Sequence, residues 1–129
     1  MRLLLDTHVV LWAATEPAQL ASEARRALED GANEACVSVV TAWEIAIKQS
    51  LGKLELPKSA ETWLPEVVRR TGFDVIELDL AAALRVRSLP WHHRDPFDRL
   101  LVAQALEAGY GLVTRDATLR AYGVAVVQA

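Results

Sequence analysis

Apolar residues along the chain fall into two rhythms, short unbroken runs and longer helically spaced stretches, and their alternation sets out the elements. "RLLL" predicts a short buried strand that stops at Asp6, and "HVVLWAA" continues as helix. "QLASEARRALEDG" has helical spacing with a stop at Gly31, "EACVSVV" is β-branched and strand-like, and "TAWEIAIKQSLG" is helical again up to Gly52. "KLELP" breaks the run. Ser59 can cap a helix over "AETWLPEVVRRTG", in which Pro65 is a point of kinking or division. "FDVIEL" is a third strand, and Asp79 can cap "LAAALRVRSL", which Pro90 ends. A further helix runs from about Pro96 to Gly109, "YGLVT" is strand four, "DATLRAYG" is a short helix, and "VAVV" is a last strand.

Strands that alternate with helices, and that are apolar without an in/out alternation of their own, point to a parallel sheet covered on both faces. The expected class is therefore α/β, with a central parallel sheet of four to five strands flanked by helices. No repeat, low-complexity tract or linker interrupts the pattern, so residues 1–129 are expected to form a single domain. A chain of this length buries roughly two thirds of its unfolded surface without a disulfide or structural metal.

Composition narrows the field only a little. The chain is 52% hydrophobic and 24% charged, which suits a compact soluble domain. Its first apolar run ends at Asp6, too short for a signal-peptide core or a membrane span, so a cytoplasmic location is expected. The one cysteine, Cys36, sits inside an apolar run and reads as a small buried hydrophobe. A net charge of −3 argues against coating nucleic acid by bulk charge, although local patches remain open.

The acids change the picture. In open parallel sheets ligands bind beyond the carboxyl ends of the strands, near the point where strand order reverses. Asp6 follows strand one, Glu44 lies in the helix entered from strand two, Asp98 falls in the first turn of the helix before strand four, and Asp116 follows strand four. Each also has a purely structural explanation: Asp6 and Asp116 as helix caps, Glu44 as the partner of Lys48 four residues on, and Asp98 as a first-turn charge behind the cap Asp95 and Pro96. What structure does not require is four acids converging from separate segments, because their repulsion in a partly buried cleft costs several kcal/mol unless a cation offsets it. Hard oxygen donors without paired cysteines suit Mg²⁺ or Mn²⁺, and such an ion serves phosphodiester hydrolysis. Setting the four acids aside leaves 13 acidic side chains against 14 cations, so the overall charge does not exclude a nucleic-acid substrate.

"LLLDTHVVLW", "TAWEIAIK", "DPFDRLLVAQA" and "LVTRD" stand in the order and approximate spacing of PIN domains, and the chain resembles in particular those of VapC-type toxins from toxin–antitoxin pairs. The four segments span residues 3 to 116. The resemblance implies a metal-dependent endoribonuclease, usually a homodimer, held inactive by a small cognate antitoxin. Carried over residue by residue, Asp6, Glu44, Asp98 and Asp116 match the family's acidic quartet, with Asp6 and Asp98 the foremost ligands, and Thr114 matches its hydroxyl before the last acid. His8 departs from the Asn or Ser that many relatives carry after "DT".

His92 and His93 stand beside the acids but lack ligand spacing to them and read as loop surface. Arg94, Arg99 and Arg115 bracket the acids and could hold RNA phosphates or be solvated charge. The four tryptophans are expected to pack rather than to stack on bases, and Trp63 with Leu64, Val67 and Val68 forms an apolar stripe for core burial or for a partner helix. A haloacid-dehalogenase-type phosphatase would need a second Asp at position 8, and a receiver domain would need a Lys beyond Lys58; neither fits. The remaining alternative is a catalytically silent PIN-like module that binds RNA or protein without cleaving it.

Overall fold

Leu3, Leu4 and Leu5, each at most 1% exposed, lie at the centre of the computed structural model, which describes residues 1–129. They belong to β1 (Arg2–Leu5), the middle strand of a five-stranded, all-parallel sheet that also contains β2 (Glu34–Ser38), β3 (Asp74–Ile76), β4 (Gly111–Thr114) and β5 (Val126–Gln128). The spatial order is β3-β2-β1-β4-β5. From β1 the chain steps outward to β2 and β3, then crosses back to place β4 on the other side of β1. Strand order thus reverses between β1 and β4, where an open parallel sheet forms its ligand crevice.

The helices are α1 (Thr7–Thr15), α2 (Ser22–Glu29), α3 (Val39–Ser50), α4 (Ala60–Thr71), α5 (Leu80–Arg85) and α6 (Pro96–Ala108). None is long and apolar enough to cross a membrane. Both faces of the sheet are buried, which is why β1 is apolar at successive positions. Leu4 turns toward Cys36, Leu112 and the α6 residues Leu101 and Val102, while Leu3 and Leu5 turn toward Val9, Val10 and Ala24 on α1 and α2. A third cluster of Ile45, Ala60, Trp63 and Val67 joins α3 to α4.

Several boundaries differ from the sequence reading. Strand two ends at Ser38 and not at Val40, because the Ser38 hydroxyl accepts the Val40 amide at 3.0 Å and starts α3 two residues early. The segment from Gln19 is not one helix. A 3₁₀ turn over Pro17–Gln19 gives way to an extended Leu20, and α2 begins at Ser22. Helix α5 stops at Arg85 and continues as a 3₁₀ turn over Val86–Ser88, where the carbonyls of Val86 and Leu89 accept hydrogen bonds from the Arg99 guanidinium. Pro65 leaves α4 undivided, and "DATLRAYG" forms a 3₁₀ helix over Ala117–Tyr122.

The tryptophans divide against expectation. Only Trp63 is buried, Trp43 and Trp91 are 58% and 75% exposed, and Trp12 is half-buried. Arg99 is likewise not a surface cation. It is 2% exposed, stacked 3.8 Å from the Trp91 ring centroid, and satisfied by the carbonyls of Pro90, Val86 and Leu89 and by the Tyr122 hydroxyl, so it has no face left for a phosphate.

Candidate active site

Asp6 is the first residue beyond the central strand, and its backbone amide still donates to the Val113 carbonyl of β4 at 3.0 Å. Its two carboxylate oxygens have different duties. Oδ1 accepts the Val9 amide at 2.9 Å and caps α1, while Oδ2 accepts the Thr114 hydroxyl at 2.5 Å. The helix cap expected of Asp6 is formed, and the same carboxylate reaches the end of β4 with its second oxygen. Thr114, fully buried at the end of β4, also accepts the amide of Asp116 at 3.1 Å. One hydroxyl thereby ties the acid after β1 to the acid after β4.

Asp116 caps the 3₁₀ helix through Oδ1, which accepts both the amide and the hydroxyl of Thr118, at 3.0 and 2.5 Å. Its Oδ2 lies 3.0 Å from His93 Nε2. Asp98 comes from the other direction, in the first turn of α6 that Asp95 caps. The Asp95 carboxylate accepts the amides of Phe97 and Asp98 at 2.8 and 3.1 Å, with Pro96 at the first helical position, as the "DPFD" stretch suggests. The first turn of α6 then aims Asp98 back over the strand ends, its Oδ2 3.5 Å from the same His93 Nε2.

Asp6, Asp98 and Asp116 share one cavity of about 260 Å³, lined also by His8, Trp12 and Arg115. Its electrostatics follow from burial and crowding. Asp98 is pushed up to about 7, first by desolvation and then by the neighbouring charges of Asp95 and Asp6. Asp6 is raised as well, mainly by burial and against the hydrogen bond from Thr114, whereas Asp116, held by Thr118 and near His93, is lowered. Three carboxylates whose proton affinities are driven apart around one opening mark it as the candidate functional site.

Glu44 is not brought to this cavity. It is 3% exposed, Oε1 accepts the Thr7 hydroxyl at 2.6 Å, and Oε2 is paired with Lys48, whose own pKa the carboxylate raises. Both oxygens are engaged behind the site, so the i,i+4 pair foreseen in the sequence is formed, and it is buried on the Glu44 side. Glu44 still acts on Asp98 through its charge.

His93 is the residue that the sequence reading undervalued. Its ring meets Asp98 and Asp116, and the three together present ligand atoms within 4.8 Å of one another. Linear spacing could not show this. The connecting turn places His93 there, with Nδ1 accepting the Asp95 amide at 3.1 Å. His92, by contrast, is surface, edge-on to Tyr122 with ring centroids 5.0 Å apart. Arg94 is exposed and makes no ion pair.

A second opening, apolar in character, lies between α3 and α4. Ala42, Ala46, Leu64, Pro65, Val68 and Val75 line about 620 Å³, with Glu61 and Arg69 at its rim. The stripe around Trp63 is thus split: Trp63 and Val67 pack inward, and Leu64 and Val68 face the groove.

Comparison with known proteins places these features. The model of the PIN domain family matches residues 3–125. The chain is 35% identical over 122 residues to Ribonuclease VapC22 of Mycobacterium tuberculosis, covering 92% of this chain and 90% of that protein. Among solved structures it is similar in fold to VapBC2 from Rickettsia felis bound to a DNA fragment from the promoter, with a TM-score of 0.73, 16% identity and coverage of 98% and 97% of the two chains. A DNA-bound VapBC from Salmonella typhimurium superposes with a TM-score of 0.68 at 18% identity, covering 98% and 96%.

Proposed function

The chain belongs to the PIN domain family, and from that membership together with the three carboxylates around one cavity we propose that it is a metal-dependent endoribonuclease and the toxin of a toxin–antitoxin pair. The observation that carries the reading is the convergence of Asp6, Asp98 and Asp116 on one cavity, where desolvation first, and then the charges of Asp95 and Asp6, push the Asp98 carboxyl up to about 7. The donor set is all hard oxygen at its centre, which fits Mg²⁺ or Mn²⁺, held by Asp6, Asp98 and Asp116 with Glu44 as a supporting charge behind them.

When bound, the ion lowers the pKa of water and offsets charge on the phosphoryl oxygens. The protein residues prepare for this. Thr114 fixes the Asp6 carboxylate, Asp95 orients the turn that carries Asp98, and Thr118 holds Asp116 from the solvent side. Hydrolysis adds water to phosphorus and breaks the P–O3′ bond, leaving a 3′-hydroxyl and a 5′-phosphate. An unpaired RNA backbone enters such a cleft more readily than a rigid duplex.

Two partners follow. A small antitoxin seats an apolar helix in the groove between α3 and α4, the face that Leu64 and Val68 leave uncovered. A second copy of the chain covers Leu80 and Leu84, one turn apart on α5 and 73% and 65% exposed. The deciding experiment is cleavage of single-stranded RNA by antitoxin-free protein with Mg²⁺ or Mn²⁺ and with chelator. Products with 5′-phosphates that vanish in chelator are expected. Equal turnover in chelator, or products ending in a cyclic phosphate, defeats the proposal.

A further inference from the structure

The cavity has two unlike sides. Asp6, Asp98 and Asp116 account for one, and nothing in the hydrolytic chemistry uses the other, formed by His8, Trp12 and Arg115. His8 and Trp12 are four residues apart on α1, so they share one face of the helix that Asp6 caps. Their ring centroids are 5.7 Å apart at 45°. Trp12 packs against the core cluster of Leu3, Leu5 and Val9, and is held there by apolar contact while still reaching the cavity. The Arg115 guanidinium lies over the Trp12 ring, its carbon 5.2 Å from the ring centroid, so it rests on one face of the indole and would exchange that contact for a nucleotide. Although Arg115 adjoins Asp116 in sequence, its side chain makes neither an ion pair nor a hydrogen bond, so all of its donors are open.

Core packing accounts for the buried edge of Trp12 but not for the part that reaches the acidic opening, and the Arg115 donors have no acceptor there. A nucleotide would use both. A base presents a π-face that stacks on an anchored indole, and a guanidinium meets its phosphate oxygens. We propose that Trp12, with His8 and Arg115, forms a subsite for one unpaired nucleotide next to the scissile phosphate, the base stacked on the indole and the phosphate held by Arg115. Only an unstacked base can offer its face to the indole, so the subsite selects RNA whose bases are already free, as in loops and single strands. The inference rests on the ribonuclease reading above.

The test uses a short, end-labelled single-stranded RNA titrated with the intact protein in Ca²⁺, an ion chosen to limit turnover, and the same RNA carrying one abasic site moved along its length. Trp12→Leu removes the π-face and keeps apolar packing; Trp12→Phe keeps a ring. The expected result is a Kd raised about tenfold or more by Trp12→Leu, against a few-fold for Trp12→Phe. A similar loss is expected in the wild type from an abasic site at a single position, with no further loss when that RNA meets Trp12→Leu. Arg115→Gln should weaken binding and flatten its salt dependence. The subsite is overturned if Trp12→Leu, with unchanged Tm, binds RNA as the wild type does, or if Trp12→Leu and every abasic position add fully. In either case metal-dependent cleavage of the same RNA would leave the ribonuclease reading standing. A wild type that neither binds nor cleaves this RNA in Mn²⁺ removes both.

Discussion

His93 Nε2 lies 3.0 Å from Asp116 Oδ2, on a ring whose other nitrogen already accepts the Asp95 amide. That second contact fixes the chemistry of the first. With Nδ1 occupied as an acceptor, the proton of a neutral imidazole sits on Nε2 and faces the carboxylates of Asp116 and Asp98. His93 is therefore placed as a donor that holds two acid-bearing segments in register.

This predicts that His93→Ala weakens Mn²⁺ affinity roughly tenfold or more, in the range usual for groups that orient metal ligands. His93→Gln, whose amide can place an N–H near the same point, should recover most of it. Calorimetric titration with Mn²⁺ reads this independently of turnover, and equal affinity in the alanine variant would show that Asp98 and Asp116 need no help.

Asp95 and Asp98 should separate under nearly isosteric change. Asp95→Asn keeps a good cap and should alter stability by less than about 1 kcal/mol, while removing one of the charges that raise Asp98. Asp98→Asn should leave the fold intact and reduce cleavage by orders of magnitude. Melting temperature and cleavage rate at saturating Mg²⁺ distinguish them, and an Asp98→Asn protein that cleaves normally would reduce Asp98 to a first-turn charge.

The pH dependence has a definite sign. Burial and the neighbouring carboxylates push the Asp98 carboxyl up to about 7 from an ordinary 3.8, so the folded state holds this proton more tightly than the unfolded chain. Its contribution is fully present below about pH 4 and is lost as pH rises through 7. Without metal, Tm should fall between pH 5 and 8, and Asp98→Asn should flatten that slope. Divalent affinity should rise over the same interval, because protons and the ion compete for one carboxylate. A metal-free Tm that climbs toward pH 8 in the wild type but not in Asp98→Asn would contradict the assignment.

Arg99 should behave as a structural residue and not as an RNA contact. Arg99→Lys cannot reach the carbonyls of Pro90, Val86 and Leu89 together, and leaving them unsatisfied should cost about 1–3 kcal/mol. Chemical denaturation measures the loss. The salt slope of RNA binding, measured well below the new Tm, should not change.

Occupancy of the α3–α4 groove can be probed apart from catalysis. Leu64→Asp places a charge in apolar surroundings, so it should abolish antitoxin binding in a pull-down while RNA cleavage persists. Expression of this variant with antitoxin present should arrest growth. Unimpaired complex formation would move the partner to another face.

The sheet was legible because both of its faces are buried: Leu3–Leu5 and Leu112–Val113 are apolar at successive positions, and the helices between them carry their own stops. Asp6, Asp98, Asp116 and Thr114 could be placed because each follows a strand or opens a helix, where position along the chain dictates position in space. Glu44 could not be resolved this way. A mid-helix residue points wherever packing turns its helix, and here α3 turns it onto Thr7 and Lys48. Arg99 and His93 failed for a related reason. One is drawn inward by carbonyls freed at a broken helix end, the other is laid across the site by a connecting turn, and neither leaves a periodic mark.

The hydrogen bond between Thr114 and Asp6 spans 108 residues of chain. A ribosome adding about 5–20 residues per second needs several seconds to pass from one to the other. During that interval the central strand lacks its β4 neighbour, and Asp6 lacks both the hydroxyl that holds it and the acid that faces it. A growing chain therefore carries no assembled site, however much of α1 and α3 has formed. The carboxylates of Asp6 and Asp116 meet only when β4 closes onto β1, so the opening they line is among the last features of the molecule to form.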